Sequence, residues 1–368
     1  MESDNKLFLL DAYALIYRAY YAFIKNPRIN SKGFNTSAIL GFVNTLEEVL
    51  KKENPTHIGV AFDPAGPTFR HEAFEQYKAQ REETPEAIRL SVPIIKEIIR
   101  AYRIPILEVA GYEADDVIGT LATEAGRQGI ITYMMTPDKD YGQLVSDKVF
   151  MYRPKHTGGF EVMGVDEVKA KFDIQSPAQV IDMLGLMGDS SDNIPGCPGV
   201  GEKTAQKLIA EFGSIENLLE HTDQLKGALK TKVETNREMI TFSKFLATIK
   251  IDVPIQLEMD SLVREEADEN SLRSIFEELE FRTLIDRVLK KDISGNGITS
   301  ATGSKVATGK SAPSPLPLFP EEGGGIQGNL FANFTPNVFP ARPSTASKIC
   351  PMFIREGTPN GFKTISTG

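Results

Sequence analysis

The stretch Lys6-Leu-Phe-Leu-Leu-Asp11 is a short apolar run that ends at a carboxylate, and the same arrangement recurs along the chain. The apolar run 57–62 ends at Asp63, and the run 130–135 is followed by Thr-Pro-Asp138-Lys-Asp140. Apolar runs of this length predict buried strands. Side chains that follow parallel strands collect at one edge of a sheet, where open α/β folds bind their ligands. The repeat therefore predicts an acidic site at the carboxyl ends of the strands.

Amphipathic stretches lie between the apolar runs and predict helices. We expect strands at 6–10, 57–62, 104–109, 130–135 and 148–152, and helices at 37–52, 85–102 and 115–127. This alternation predicts an α/β fold, with a mainly parallel central sheet flanked by helices. From about Gly164 onward the pattern becomes helical with short loops. The expected division is a catalytic domain at 1–165 and an α-helical subdomain at 166–290.

The last part of the chain differs in composition. Residues 291–368 are rich in proline and glycine, and segments such as Ser-Ala-Pro-Ser-Pro-Leu-Pro317 follow neither a helical nor a strand period. This composition is typical of low-complexity sequence that does not fold. We therefore expect 291–368 to be a disordered linker or tail.

Composition and charge limit the class of protein. No apolar run approaches the roughly 18–20 residues that span a bilayer, so no membrane partner is expected. Cys197 and Cys350 are far apart in sequence, which argues against a disulfide framework and favours a cytoplasmic location. The net charge of −9 disfavours a nucleic-acid-binding protein when it is taken alone. Local basic clusters therefore carry more weight than the total charge.

Carboxylates that a compact α/β fold could bring together stand at Asp11, Asp63, Glu113, Asp115, Asp116, Asp138, Asp140, Asp189 and Asp192. Gathered acids repel one another, and the cations that suit an all-oxygen site are Mg²⁺ and Mn²⁺. A single Asp after a strand is more often a turn residue or a helix cap, but the repetition favours a metal site. Two clustered ions would activate a water, orient a phosphate and stabilise a leaving oxygen. The four histidines are scattered, so a zinc peptidase is not expected.

The segment 68–81 combines positive charge with aromatic residues. Arg70, Lys78 and Arg81 supply the charge, and Tyr77 stands four residues before Arg81, so that the two would share a helical face. Cations beside a metal site stabilise charge on a phosphoryl group, and an aromatic ring can stack on an unpaired base. A solvated amphipathic helix is the alternative for this segment alone.

The glycine-rich stretch 192–208 contains Pro-Gly-Cys-Pro-Gly-Val-Gly201-Glu-Lys203. It is not a P-loop, because Glu202 stands where a P-loop has lysine and no strand precedes it. We interpret it as a helix-hairpin-helix, whose turn and following helix N-terminus cradle a phosphate without reading bases. The residues expected at the nucleic-acid backbone are Gly196, Gly199, Gly201, Lys203, Thr204 and Lys207. A purely structural helix–turn–helix is the alternative.

In this order, the motifs resemble those of the 5′ nuclease, or flap endonuclease, superfamily. They are most similar to the N-terminal 5′→3′ exonuclease domain of bacterial DNA polymerase I, and the resemblance covers roughly residues 5–290. The matching stretches are Leu-Leu-Asp11, Tyr17-Arg18-Ala-Tyr-Tyr-Ala, Ala-Phe-Asp63, Phe69-Arg-His, Tyr77-Lys-Ala-Gln-Arg81, Gly111-Tyr-Glu-Ala-Asp-Asp116, Thr136-Pro-Asp-Lys-Asp140, Gly188-Asp-Ser-Ser-Asp-Asn-Ile-Pro195 and Gly199-Val-Gly-Glu-Lys-Thr204.

The resemblance implies a PIN-like or resolvase-like nuclease that removes DNA or RNA-primer 5′ ends in replication and repair, with Mg²⁺ as cofactor. By position, all nine carboxylates match the family's metal site. Tyr77, Lys78 and Arg81 match its clamp residues, and Arg18 and Arg70 match basic positions near the substrate. The family's hairpin also holds a monovalent cation, usually K⁺. The expected partner of a monomeric chain is DNA with a 5′ flap, a nick or an RNA primer.

The chain also departs from the family pattern. Ala12 and Pro137 stand where glycine is common, but neither change removes a ligand. The likeness to polymerase I would imply a polymerase domain in cis after residue 290, where a tail rich in proline and glycine stands instead. A fragment, a truncated product and a stand-alone nuclease all stay open. Two other functions stay open as well: a non-catalytic DNA-binding protein of the same fold, and a PIN-type metal-dependent ribonuclease.

Overall fold

The computed structural model describes residues 5–155 and 158–289, and a six-stranded sheet lies at their centre. The strands are β1 (Lys6–Asp11), β2 (His57–Ala61), β3 (Ile106–Leu107), β4 (Ile131–Met135), β5 (Val149–Pro154) and β6 (Phe160–Met163). Their order is β3-β2-β1-β4-β5-β6, in which only β6 is antiparallel to its neighbour within the described residues. The mainly parallel sheet is therefore confirmed. Strand β3 is shorter than expected, and the edge strand β6 is an addition to the predicted set.

The central strand β1 separates two hydrophobic cores. Leu7 and Leu9 belong to one core, whereas Phe8 and Leu10 belong to the other. All four side chains are fully buried. Because successive side chains of a strand point to opposite faces, a strand covered on both faces has a continuous apolar sequence. This burial explains why residues 7–10, directly before Asp11, are all apolar.

Helices of the first half of the chain cover both faces of the sheet: α1 (Ala12–Ala22), α2 (Ser37–Lys52), α3 (Phe69–Ala73), α4 (Glu86–Ala101) and α5 (Ala114–Arg127). A short 3₁₀ helix, Lys139–Leu144, follows β4. The three helices expected from the sequence correspond to α2, α4 and α5, each to within one residue of its bounds.

The segment after α3 differs from the expected helix. Helix α3 ends at Ala73, because Phe74 has an extended backbone. Residues 75–80 then form turns, and Lys78 has a φ of 56°, which no right-handed helix allows. Tyr77 and Arg81 therefore do not share a helical face, and the prediction of that face is wrong.

Beyond β6 the described chain is helical, as predicted. The helices are α6 (Val165–Phe172), α7 (Gln179–Met187), α8 (Glu202–Phe212), α9 (Ile215–Glu220), α10 (Gly227–Thr235), α11 (Arg237–Ala247), α12 (Met259–Leu262), α13 (Glu269–Glu278) and α14 (Arg282–Val288). The last two return to the sheet: Leu272 and Phe276 of α13 and Leu284 of α14 join the core that contains Phe8. Helices α13 and α14 thus add to the hydrophobic core on one face of the sheet.

Two predictions concern the rest of the chain. The disordered tail expected at 291–368 lies outside the described residues. Among the helices that are described, none is both long enough and apolar enough to cross a membrane.

Candidate functional site

Asp11 lies at the carboxyl end of β1 and also caps the helix that follows. Its Oδ1 accepts a hydrogen bond from the backbone N–H of Ala14 at 3.1 Å. Its Oδ2 accepts hydrogen bonds from the hydroxyls of Thr136, at 3.1 Å, and Tyr141, at 3.2 Å. Burial and the negative charge of Asp63 raise the pKa of Asp11 to about 7. Asp11 therefore lies at the carboxyl end of β1, as predicted, and is close enough to Asp63 for the two charges to interact.

Asp63 and the acidic run 113–116 meet at the start of α5. The backbone N–H of Ala114 donates to Oδ1 of Asp63 at 2.8 Å, which joins the end of β2 to this helix. Glu113 is the N-cap of α5, and carboxylates suit the positive end of a helix dipole. Burial and the charge of Asp116 nevertheless raise the pKa of Asp115 well above its usual value. An added cation would relieve this repulsion.

Two predicted site residues, Arg70 and Asp116, are placed inside the protein. The side chains are 1% and 0% exposed, and the guanidinium contacts the carboxylate through two hydrogen bonds of 2.8 Å. The Arg70 guanidinium also donates to the backbone carbonyls of Leu246 and Thr248. The resemblance predicted Asp116 as a metal ligand and Arg70 as a basic residue near the substrate. Because protein contacts occupy both groups, we expect them to support the site rather than to bind metal or DNA directly.

The predicted clamp residues contact the acids directly. The Nζ of Lys78 is 2.9 Å from both carboxylate oxygens of Glu113 and 3.7 Å from Oδ2 of Asp192. The Tyr77 hydroxyl is within hydrogen-bonding distance of both acids, and Arg81 contacts Asp192 at 2.6 Å. Burial alone would raise the pKa values of Glu113 and Asp192, but the neighbouring cations outweigh burial and lower them. Both acids are therefore held as carboxylates.

Backbone contacts join the segment 76–81 to the loop that follows α7. The N–H of Lys78 donates to the carbonyl of Asp192 at 3.0 Å. The Asn193 side chain donates to the carbonyl of Gln76 at 2.7 Å, and the Gln80 side chain donates to the carbonyl of Ser190 at 2.6 Å. These contacts hold the clamp on the loop that leads to the glycine-rich hairpin.

The remaining acids lie after β4 and after α7. Oδ1 of Asp138 accepts from the N–H of Asp140 at 3.0 Å, and Oδ2 of Asp189 is 2.7 Å from the Nζ of Lys139. Burial and the charge of Asp138 raise the pKa of Asp140 well above its usual value. Its Oδ1 is buried and has no hydrogen-bond partner among the described residues. This oxygen is an acceptor for which the described part of the protein supplies no donor.

The donor set fits a hard divalent cation. The candidate ligands are all carboxylates, the ligand type that Mg²⁺ and Mn²⁺ prefer, and Asp140 carries a spare buried oxygen. Within residues 5–155 and 158–289, no three acidic, histidine or cysteine side chains converge on one point as they stand. Their charges are instead offset by Lys78, Arg81 and Lys139, which contact acids from separate segments.

The glycine-rich loop lies between α7 and α8, as expected for a helix-hairpin-helix. Gly196 has a φ of 63°, and a Cβ there would lie 2.3 Å from the backbone N of Gly188, so only glycine fits. Gly201 is the N-cap of α8. Lys203 and Lys207 are exposed on α8, and Thr204 is half-buried. Gly201, Lys203 and Thr204 thus lie at the start of α8, whereas Gly196 is buried and its N–H donates to the Ser243 hydroxyl at 2.9 Å.

The hairpin also has a basic residue that sequence reasoning missed. Lys232 of α10 donates from Nζ to the carbonyl of Gly199 at 3.3 Å. Lys139 was missed as well, although its place between two acids was a usable signal. Arg18 is half-buried on α1 and donates to the carbonyl of Lys155 at 3.3 Å. Its predicted role near substrate stays a prediction.

Two family models match the chain. One is described as the 5′-3′ exonuclease N-terminal resolvase-like domain and matches residues 6–173, and the other as the 5′-3′ exonuclease C-terminal SAM fold and matches residues 175–270. The first contains the sheet with its acidic edge, and the second contains the hairpin. Together the two models describe a resolvase-like exonuclease domain with a helical extension. The chain belongs to the 5′-3′ exonuclease family, and the predicted family is confirmed.

Similar proteins of known sequence are DNA polymerases I. That of Bacillus caldotenax is 42% identical over 287 residues, which are 77% of this chain and 32% of that protein. That of Bacillus subtilis is 43% identical over 291 residues, which are 78% of this chain and 33% of that protein. The chain thus spans about a third of the length of these relatives and is homologous to their 5′ nuclease domain.

Solved structures share the fold at lower identity. The bacteriophage T5 5′-exonuclease with bound zinc has a TM-score of 0.56 at 20% identity, and the match covers 75% of this chain and 99% of that chain. The catalytic core of Rad2 in complex with DNA substrate has a TM-score of 0.53 at 18% identity, covering 77% and 93%.

Proposed function

We propose that the chain is a metal-dependent, structure-specific nuclease that hydrolyses phosphodiester bonds at the 5′ ends of DNA strands and RNA primers. One observation supports the proposal: carboxylates follow β1, β2 and β4, the clamp cations contact acids at the start of α5 and after α7, and the loop after α7 leads into the glycine-rich hairpin. A substrate gripped at the hairpin would thus lie beside both acids and cations.

The proposed metal ligands are the predicted carboxylates other than Asp116, which is fully buried and paired with Arg70: Asp11, Asp63, Glu113, Asp115, Asp138, Asp140, Asp189 and Asp192. When bound, two Mg²⁺ or Mn²⁺ ions would activate a water, orient the phosphate and stabilise the leaving oxygen. The metal-bound T5 5′-exonuclease supports this dependence by its shared fold. Arg70 and Asp116 would keep the start of α5 in place.

The clamp cations are proposed to stabilise the charge that develops on the phosphoryl group. Lys78 and Arg81 contact Glu113 and Asp192 here, and both would exchange part of these contacts for phosphate oxygens. The Tyr77 hydroxyl bridges the same two acids and would keep them oriented during this exchange. Water adds to the phosphorus while the bond to the 3′ oxygen breaks, which leaves a 5′-phosphate and a 3′-hydroxyl.

Duplex binding is assigned to the hairpin. Gly199 and Gly201 would let the backbone approach a phosphate, and Lys203, Thr204 and Lys207 would supply charge and a hydroxyl. Gly196 would instead support the turn, because it packs against the backbone of Gly188 and its N–H donates to Ser243. Binding of K⁺ at this turn, and a contact between Arg18 and the strand, belong to the same proposal. A polymerase domain in cis, as in the relatives that carry that name, would place the activity in primer removal during replication and repair.

A cleavage assay separates the proposal from its alternatives. The full chain should cut a 5′-flap DNA in Mg²⁺, and Asp115→Asn and Asp138→Asn should abolish cutting while DNA binding in Ca²⁺ stays measurable. Preferential cutting of unstructured single-stranded RNA would support a PIN-type ribonuclease instead. Flap binding without cleavage in Mg²⁺ or Mn²⁺ would support a non-catalytic DNA-binding protein.

A further inference from the structure

Lys139 lies between predicted ligands both in sequence and in space. It begins the 3₁₀ helix Lys139–Leu144, with Asp138 before it and Asp140 after it. Its Nζ is 2.7 Å from Oδ2 of Asp189, which belongs to the loop after α7. The Asp189 side chain is 5% exposed and that of Lys139 is 26% exposed, so solvent screens this ion pair little.

The contact joins two acidic segments that would otherwise repel each other. Asp138 and Asp140 come from the loop after β4, whereas Asp189 comes from the loop after α7. The other oxygen of Asp189 accepts the N–H of Ser191 at 2.7 Å, so protein groups occupy both of its oxygens. Oδ1 of Asp140, in contrast, has no partner among the described residues. Lys139 therefore offsets part of the local negative charge and leaves the rest uncompensated.

We propose that Lys139 is a positioning residue that serves as an internal counter-ion. It holds Asp189 beside the 139–144 helix before a divalent ion binds, and it releases that carboxylate when the ion arrives. The inference rests on the proposed function only in assigning Asp140 and Asp189 to metal binding. Lys139 differs from Lys78, because its partner Asp189 lies outside the clamp contacts to Glu113 and Asp192.

The proposal has a consequence for metal affinity that a structural lysine lacks. A lysine that only braces the loop would lower stability when removed and would leave ion binding unchanged or weaker. Removal of a counter-ion that competes with the metal should instead make ion binding tighter. Even with the dielectric constant of water, one positive charge a few ångströms from a divalent ion changes the affinity by about tenfold.

The test measures binding of Ca²⁺ alone to the full chain, without DNA. In Lys139→Met, calorimetric titration should give a half-saturating Ca²⁺ concentration about tenfold lower than in the wild type. Melting in EDTA should begin at a lower temperature, and Ca²⁺ should restore more of the loss than it adds to the wild type. Lys139→Arg, which keeps the charge, should return the Ca²⁺ affinity to the wild-type value.

The matched control is Lys244→Met. Lys244 contacts the buried Asp182 at 2.6 Å, with a side-chain exposure of 22% against 26% for Lys139, but it lies in the helical part. Its removal should lower the melting temperature without moving the Ca²⁺ midpoint. Lys139→Gln provides the same measurement if the methionine variant does not fold.

Unchanged or weaker Ca²⁺ binding in the neutral Lys139 variants would overturn the inference. Because the measurement needs no substrate, its outcome is independent of the cleavage assay. A lower Ca²⁺ midpoint in the neutral Lys139 variants, together with a wild type that does not cleave DNA, would reject the proposed function and retain the counter-ion. Cleavage by the wild type together with an unchanged Ca²⁺ midpoint in the Lys139 variants would retain the proposed function and reject the counter-ion.

Discussion

Arg70 and Asp116 form an ion pair with two N–O contacts of 2.8 Å, and neither side chain is open to solvent. The pair ties α3 to the first turn of α5, the helix whose start carries Glu113 and Asp115. Oδ1 of Asp116 also accepts the N–H of Lys250 at 2.8 Å. Three separate parts of the chain thus meet at a single carboxylate.

Breaking this pair should be strongly destabilising. Arg70→Met and Asp116→Asn should each lower the unfolding free energy by about 3–5 kcal/mol, because either change leaves an uncompensated polar group in the interior. Urea unfolding followed by circular dichroism measures the loss. The double variant should lose less than the sum of the single losses, since the two share one interaction. The control Lys32→Met breaks an exposed pair with Glu278 and should cost less than about 1 kcal/mol; equal losses in all variants would contradict the structural role.

Lys78→Met should slow cleavage of a 5′-flap DNA by about 10²–10³-fold while binding in Ca²⁺ is retained. The reason is that its ammonium, 2.9 Å from Glu113, is placed to stabilise charge on the phosphoryl group. Single-turnover kinetics separates this loss from a loss of binding. Lys96→Met is the matched control, because Lys96 contacts Glu108 at 2.6 Å with a similar side-chain exposure of 24% against 19%. A cleavage rate in Lys78→Met as high as in that control would remove Lys78 from the chemistry.

Gly199→Ala should weaken duplex binding more than it weakens the fold. Gly199 has a φ of 76°, and a Cβ there would lie 2.5 Å from the Nζ of Lys232, so the lysine must leave the turn. Gly213→Ala is the control, because it has the same left-handed backbone, with a φ of 78°, but no atom within 4 Å of the added carbon. Both should cost about 1 kcal/mol of stability. Fluorescence anisotropy should show reduced duplex affinity for Gly199→Ala alone; equal affinities would exclude the turn from DNA contact.

Glu53 should give the fold a pH-dependent contribution. Burial alone would raise its pKa, but hydrogen bonds from Lys6 and Tyr152 outweigh burial and lower it below the usual 4.5. A carboxylate with a lowered pKa stabilises the fold above its unfolded-state pKa, and this stability is lost as the pH falls through the lower folded-state value. Glu53→Gln should therefore melt at a lower temperature than the wild type at pH 7, and the difference should shrink towards pH 3. A difference that is constant with pH would show that the charge of Glu53 contributes nothing.

The sheet and its acidic edge were predictable because both depend on local patterns. A strand buried on both faces has an apolar sequence, and its end is marked by the first polar residue, as at Asp11. The burial of Arg70 was not predictable, because its partners Asp116, Leu246 and Thr248 are distant in sequence. The turns around Lys78 gave no signal either, since a lysine with a positive φ is uncommon and no glycine marks the position.

The contact partners of charged side chains could not be predicted from the sequence either. The sequence shows that Lys139 stands between two acids, but not that its ammonium contacts Asp189 rather than its neighbours. The contact between Lys232 and Gly199 joins a helix and a turn whose relative position depends on the packing of α7, α8 and α10. Charge type and spacing thus predicted which kinds of side chain follow the strands, whereas the geometry of their contacts depended on tertiary packing.

The loop after α7 has acids at its beginning and the glycine-rich turn at its end. Asp192 contacts the clamp and stands only a few residues before Gly196, and the backbone N–H of Lys78 is fastened to the Asp192 carbonyl. In the proposed function, this short loop would therefore set the distance between the phosphate held at the hairpin and the phosphodiester bond that is cut. Lengthening the loop would then move the cleavage position along the strand, in addition to any loss of cleavage rate.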